Sequence, residues 1–192
     1  LHYHLAQAAL MQCRCRVITI GLNSENTYWA DAVSTGLTGT VCTLHDGGSE
    51  IALRIPWTGQ HHAYTMMFAY AVGREYGLEP AAIAQGLLGA SALPGRLSPV
   101  AGYNGSVLLD DTFNASPESF EAALSTLSAL PARRRWVIMG EMADLGPQSE
   151  EWHRRIGSSV AGVADRLVTK GDLAALAAGE AQRAGMPSNA VQ

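Results

Sequence analysis

Residues 106–140 decide the fold, beginning with Ser106-Val-Leu-Leu-Asp110, a short apolar run that ends in a carboxylate. The polar stretch Asp111-Thr-Phe-Asn-Ala115 follows, and then Ser116-Pro-Glu-Ser-Phe-Glu121. Serine at the N-cap satisfies a free backbone N–H, proline at the first helical position needs none, and early acids face the positive end of the helix dipole. The segment therefore predicts a helix running to about Leu130. Arg135-Trp-Val-Ile-Met-Gly140 comes next, an unbroken apolar run of the kind a parallel strand shows when both its faces are covered. Strand, helix and strand in this order make a βαβ unit.

Downstream the alternation continues. Ser149 to Ala164 predicts a helix, Arg166-Leu-Val-Thr169 a third short strand, and Leu173 to Ala184 a last helix, and the chain reaches Gln192 without a further strand. The order βαβαβα is the start of a doubly wound, Rossmann-like sheet, and the class is α/β. Upstream, Leu93-Pro-Gly-Arg-Leu97 breaks the pattern and marks a candidate boundary between residues 1–93 and 94–192. Before it, His61 to Tyr76 predicts a helix closed by Gly77, and Glu79-Pro80 opens another over Ala81 to Leu88. Thr40–His45 and Glu50–Ile55, joined by Asp46-Gly-Gly-Ser49, form a predicted β-hairpin, to which Tyr28 to Ser34 adds a strand. Arg16 to Gly21 is expected as a buried strand, and residues 1–12 as the remnant of a helix with Leu5, Ala9 and Leu10 on one side.

Composition narrows the function. With 192 residues, 47% of them apolar, the chain can form one large or two small domains without a disulfide or metal. Charged residues are 16%, well below the ~25% average, which excludes intrinsic disorder. Thirteen basic against 17 acidic side chains give a net charge of −4, and no basic stripe exists, so nucleic acid is not an expected partner. Lys170, the only lysine, sits in Val-Thr-Lys-Gly-Asp, so these residues hold no Walker A loop. Cys13, Cys15 and Cys42 bring no second pair to complete a zinc site and read as thiols of a reducing cytoplasm. No apolar run reaches the ~20 residues of a membrane span, and Leu1-His-Tyr-His-Leu5 reads as a cut edge, not as a signal peptide.

In open α/β sheets ligands bind beyond the carboxyl ends of the strands. Two such ends are unusually polar: Asp110 to Ser116, and Gly140-Glu-Met-Ala-Asp-Leu-Gly146. A strand-end carboxylate suits a ribose diol, because each oxygen can accept from a hydroxyl; alternatively Asp110 and Asp111 cap the following turn. Gly140 either admits a ligand close to the backbone or simply turns the chain. Arg96, after Pro-Gly at the boundary, either forks onto a phosphate or decorates a surface hinge. His61-His62 lack a third ligand at helical spacing and read as a helix-start pair, with no metal site expected. Arg133-Arg-Arg135 reads as a solvated turn before a strand.

At these residues the chain resembles the Mur ligases. The stretches that carry the resemblance are Pro56-Trp-Thr-Gly-Gln-His61, Leu93-Pro-Gly-Arg-Leu97, Leu108-Leu-Asp-Asp-Thr-Phe-Asn-Ala115 and Val137-Ile-Met-Gly-Glu-Met-Ala-Asp-Leu-Gly146, with His153 behind. Their order and spacing follow the family from about Val17 onward. The resemblance implies that residues 1–93 are the end of a central ATPase domain and 94–192 an incomplete C-terminal domain. It also implies ATP-dependent amide formation. The branch it resembles most adds D-alanyl-D-alanine to a UDP-N-acetylmuramoyl-tripeptide through an acyl phosphate, in peptidoglycan precursor synthesis. That implies ATP and Mg²⁺ as cofactors, with the P-loop and metal ligands upstream of Leu1, a cytoplasmic monomer as the full-length parent, and an inactive fragment on its own.

By the same resemblance Asp111 takes the ATP ribose, Arg96 faces phosphate or nucleotide, Asn114 lies beside them, and His61 matches a Gly-x-His on the nucleotide side. Gly140, Glu141 and Asp144 match the loop that faces the incoming amino substrate. His62 and Thr65 stand where asparagines are common, Glu141 where aspartate is usual and Phe113 where tyrosine is common. Another Mur-type or folylpolyglutamate-synthase-like ligase shares the hinge arginine and strand-end aspartate. A non-catalytic Rossmann-like binding module is the remaining alternative, against which no Gly-x-Gly-x-x-Gly follows any strand.

Overall fold

The computed structural model describes residues 14–192; the helix expected over residues 1–12 lies outside the described residues. The chain divides into two compact units, one of residues up to Val33 with Val41–Ile55 and Ala63–Gly89, the other of Ser34–Thr40, Pro56–His62 and Ala90–Gln192.

In the first unit, strands β1 (Ile20–Gly21), β2 (Tyr28–Gly36), β3 (Gly39–Asp46) and β4 (Ser49–Ile55) form one sheet in that order, the β2–β3 tip belonging to the second unit. Alternate residues of each strand are buried: Tyr28 and Ala30, Cys42 and Leu44, Leu53 and Ile55, as a period of two requires. Gly47 and Gly48, at φ +54° and +94°, make the turn between β3 and β4 that L side chains disfavour. Helix α1 (His62–Glu75) buries Met66, Met67 and Tyr70, and the Tyr70 hydroxyl donates to Asp46 Oδ2 at 2.8 Å. Gly73 lets the Ile83 side chain of α2 (Pro80–Leu88) close on α1.

The buried strand expected over Arg16–Gly21 shrinks to two residues pairing parallel with β2. Its backbone is drawn off the ladder: the Thr19 and Thr27 N–H groups donate to each other's hydroxyls at 3.2 and 2.9 Å, and Val17 stays 40% exposed.

In the second unit, β5 (Ser98–Ala101) and β6 (Val107–Asp110) pair antiparallel, with Ser98 opposite Asp110. β5 has no counterpart in the sequence reading, because a short segment holding Pro99 becomes a strand only through its partner. Helix α3 (Pro117–Ala129) begins as predicted, with the Ser116 and Ser119 side chains each accepting from the other's backbone N–H. β7 (Trp136–Met139) and β8 (Arg166–Thr169) pair parallel around α4 (Ser149–Ala161), and α5 (Asp172–Arg183) follows. The α/β element order is the one read from the sequence, but β6 pairs antiparallel with β5 and lies in a different sheet from β7, so the first expected βαβ unit is not formed as one sheet among the described residues. The helices and strands close on Leu124, Met139, Met142, Ile156, Val160, Leu167 and Ala177.

Two details differ from the sequence reading. The last residues do not leave the sheet: Val191 bridges Leu167 in parallel, and the Thr169 N–H donates to the Gln192 carbonyl at 2.8 Å. Arg135 is no solvated turn residue either. Its guanidinium donates to the carbonyls of Leu127 and Leu130, both at 2.9 Å, and so satisfies the open C-terminus of α3. Arg133 and Arg134 are exposed. Among the described residues no helix is long and apolar enough to cross a membrane.

Helices α4 and α5 meet so closely that a Cβ on Gly157 would run into the backbone of Ala177. Gly179, also on α5, has open space around the same position. Gly157→Ala is therefore expected to cost about 1–3 kcal/mol of stability by overpacking. Gly179→Ala is expected to gain about 0.5–1 kcal/mol from helix propensity. Urea titrations of the two variants read the opposite signs.

Candidate functional site

The first polar strand end is pinned to the Leu93–Leu97 turn. Gly95 and Leu97 both take positive φ, +72° and +51°, and the resulting turn aims the Leu97 N–H at Asp111. That N–H donates to Asp111 Oδ1 at 3.0 Å, and the Phe113 N–H donates to the Gly95 carbonyl at 3.1 Å. A Cβ on Gly95 would lie 3.1 Å from the Phe113 nitrogen, so glycine is needed for the approach as well as for the dihedral. Arg96 then lays its guanidinium 4.1 Å from the centre of the Phe113 ring.

The two adjacent aspartates do different work. Asp110 Oδ1 accepts from the N–H and hydroxyl of Thr112 at 3.2 and 2.7 Å and closes the local turn. Asp111 is half-buried, and its second oxygen has no hydrogen-bond partner among the described residues. Burial pushes its carboxyl above the ordinary range; the Leu97 N–H, His61 and Arg96 act against that, and Asp110 adds to it.

Residues 56–62 border the same place. The loop is tied to residues 34–40 by Thr40, whose hydroxyl lies 2.8 Å from the Trp57 carbonyl, and by the Gly59 N–H, which donates to Thr35 Oγ1 at 2.8 Å. Gly59, at φ +131°, faces the His61 imidazole where a Cβ would collide. Burial lowers the His61 pKa against the pull of Asp111, and burial together with His61 drives His62 down to about 4. Both imidazoles are therefore neutral at pH 7. Trp57, His62, Ala92, Leu93 and Arg96 line a mainly apolar hollow, where the Trp57 indole N–H is buried without a partner among the described residues.

The structure thus brings Asp111, Arg96 and His61 into one neighbourhood, with Asn114 exposed on the same loop as Phe113. An unsatisfied carboxylate oxygen, a guanidinium held by an aromatic ring and an apolar hollow with an N–H donor match a ligand with hydroxyls, a negative group and a flat apolar part. Trp57 and Gly59 lie in the Pro56–His61 stretch that carries the resemblance, but the indole's unpartnered N–H is evident only in the fold.

The second strand end is built differently. Glu141 is exposed, and its Oε1 accepts from the Leu173 N–H at 2.9 Å near the N-terminus of α5, with its stem against Gly171 at φ +109°. His153 is fully buried on α4. Its Nε2 accepts from the Met142 N–H at 2.9 Å, so Nδ1 carries the proton and donates to the Ser149 carbonyl at 2.7 Å. Asp144 is exposed at φ +60°, and Gly140 is exposed with nothing near the position of a Cβ. Among the described residues no group of three or more His, Cys, Asp or Glu side chains comes together to hold a metal. Burial, with the charge of Asp31 beside it, pushes the Cys42 thiol up to about 11.

A parallel strand pair joined by a helical crossover, beside an antiparallel pair, defines a mixed α/β domain with polar carboxyl ends. Its sequence matches the Mur ligase, glutamate ligase domain over residues 95–191, and the chain belongs to the Mur ligase family. The UDP-N-acetylmuramoyl-tripeptide--D-alanyl-D-alanine ligase of Bacillus subtilis (strain 168) is 31% identical over 166 residues, 85% of this chain and 36% of the relative. MurF from Acinetobacter baumannii has the same fold, with a TM-score of 0.83 at 22% identity over 99% of this chain and 39% of that one. MurF ligase from Thermotoga maritima in complex with ADP gives 0.79 at 18% identity over 100% of this chain and 42% of that one. The chain thus spans little more than a third of the curated relative's length.

Two stability predictions follow from the charges. Because Asp111 is raised in the folded state, its ionisation destabilises the fold as pH rises through that raised pKa. Asp111→Asn, which keeps an oxygen for Leu97, should unfold at equal or higher urea than the wild type at pH 7, with the difference vanishing in acid. For His62 the sign is opposite: the unfolded chain takes up its proton first, so stability should fall as pH drops from 6.5 towards 4. His62→Asn should flatten that part of the profile.

Proposed function

We propose that this chain is part of an ATP-dependent amide-forming ligase that joins D-alanyl-D-alanine to a UDP-N-acetylmuramoyl-tripeptide. In this reading residues 1–93 close a central ATPase domain and 94–192 form most of the C-terminal domain of a cytoplasmic, monomeric parent. The family match and the activity of the Bacillus subtilis relative support it. The observation that carries it is Asp111, held at a strand end by one oxygen with the other unsatisfied, beside Arg96 and His61.

The reaction has two transfers. A carboxylate oxygen of the tripeptide attacks the γ-phosphorus of ATP, and ADP leaves. The amine of D-alanyl-D-alanine then attacks the acyl carbon, phosphate leaves and the nitrogen loses a proton. What the protein supplies is positioning and charge neutralisation. Asp111 accepts from the ribose hydroxyls, Arg96 faces the phosphates, and the neutral His61 and Asn114 border the nucleotide. The loop of Gly140, Glu141 and Asp144 fronts the incoming amine. Mg²⁺ finds no three-ligand group among the described residues, so none of them is assigned to it. Neither nucleic acid nor a membrane has a place in this reading.

Assaying the parent with D-alanyl-D-alanine, glutamate and single L-amino acids tests it. Phosphate release dependent on D-alanyl-D-alanine and the UDP-linked tripeptide is expected; release with glutamate instead would move the chain to a folylpolyglutamate-synthase-like ligase. The 192-residue chain alone should release no ADP, since it lacks a glycine-rich loop over the β- and γ-phosphates. In the parent, Asp111→Ala should raise the KM for ATP about tenfold or more, and Asp110→Ala should do less.

A further inference from the structure

We infer that Asn104 is a modification site, at which the Gly105 backbone nitrogen displaces ammonia from the side-chain amide and water then leaves aspartate or isoaspartate in its place. The reaction needs water and no partner, and it is independent of the ligase reading.

Asn104 and Gly105 are the two central residues of the turn that joins β5 to β6, with φ of +53° and +75°. Two left-handed residues in a row make the type I′ geometry that suits the twist of paired strands, and asparagine followed by glycine adopts it at least cost. The Ser106 N–H closes the turn on the Tyr103 carbonyl at 3.1 Å, and the Ser106 hydroxyl donates to the same oxygen at 2.8 Å. The tip stands in solvent. Tyr103 is 86% exposed, and Asn104, Gly105 and Ser106 are exposed with it.

The pair that the turn requires is also a pair that reacts with itself. Gly105 has no Cβ to screen its nitrogen, and among the described residues no hydrogen bond engages its N–H or the Asn104 carboxamide. Once the Gly105 N–H has given its proton to base, the nitrogen attacks Asn104 Cγ. The Cγ–Nδ2 bond breaks, ammonia leaves with a proton from solvent, and a five-membered succinimide closes. Water then opens the ring, giving aspartate when it adds at Cγ and isoaspartate when it adds at the backbone carbonyl. The ψ of +38° at Asn104 has to rotate before the nitrogen meets Cγ, so the reaction runs through an opened turn, and glycine on one side eases that rotation.

The other asparagines lack this combination. Asn23, Asn26, Asn114 and Asn189 are each followed by a residue with a Cβ beside the attacking nitrogen. Two of those nitrogens are also engaged: the Thr27 N–H donates to Thr19 Oγ1 at 2.9 Å, and the Ala190 N–H to the Pro187 carbonyl at 2.8 Å. Conversion at Asn104 adds one negative charge to a chain of net charge −4. Isoaspartate also lengthens, by one backbone carbon, the turn whose length sets the register of β5 against β6.

The test incubates the folded full-length parent in heavy-oxygen water at neutral and at alkaline pH and locates the label by fragment mass spectrometry. One heavy oxygen should enter at position 104 as a mixture of aspartate and isoaspartate, several times faster than at Asn114 and faster still at the higher pH. Asn104→Gly keeps the left-handed turn and removes the carboxamide. Its melting temperature should match that of the wild type, and no label should enter at that position. An Asn104 amide that outlasts the amide of Asn114 would overturn the assignment, and so would conversion to aspartate without isoaspartate, which bypasses the ring.

Discussion

The bond from the Leu97 N–H to the Asp111 carboxylate holds the first strand end in its working form. It joins a turn with two consecutive demands, glycine at 95 and a left-handed residue at 97, to the end of β6. It acts together with the Phe113 N–H bond to the Gly95 carbonyl and the β5–β6 ladder that begins at Ser98 and Asp110. Without these ties Arg96 would have no fixed approach to Phe113. The same bond uses one oxygen of a half-buried carboxylate and leaves the other unmet. Burial of the carboxylate costs stability at neutral pH.

The second strand end shows the complementary design, in which the protein satisfies its own loop. Glu141 takes the N-terminal end of α5, and His153, with both ring nitrogens bonded, fixes the backbone at Met142. An anion at a helix N-terminus is favoured by the dipole and by unpaired N–H groups. Here a side chain fills that role, while Glu141, Asp144, Lys170 and Asp172 all remain exposed along this edge. One edge thus carries unsatisfied groups beside an apolar hollow, and the other a rigid loop with exposed charges.

What was legible in the sequence was local. The capping Ser116 of α3 and the proline after it are decided by neighbours a few residues away and fold as read, whereas the apolar run of β7, read as covered on both faces, leaves Trp136 and Ile138 exposed. Asp111 and Arg96 also announce themselves, through a carboxylate after a strand and an arginine after Pro-Gly. What ties Asp111 to the turn that carries Arg96 is not legible, because the bond reaches back 14 residues to the Leu97 N–H. Glu141 reads as an acid on an exposed loop, and its bond to the Leu173 N–H, 32 residues on, is not legible. Arg135 reads as solvated until the carbonyls at the end of α3 arrive above it. In each case the choice between solvent and a buried partner belongs to tertiary packing, which periodicity does not encode.

The central claim is that Asp111 recognises a ribose diol. It is tested most directly by comparing ATP with 2′,3′-dideoxy-ATP as substrates of the full-length ligase carrying either Asp111 or Asp111→Asn. The account predicts that the Asp111 enzyme prefers ATP by about tenfold or more in kcat/KM and that Asp111→Asn uses the two nucleotides nearly equally. A preference for ATP that survives unchanged in Asp111→Asn would contradict it.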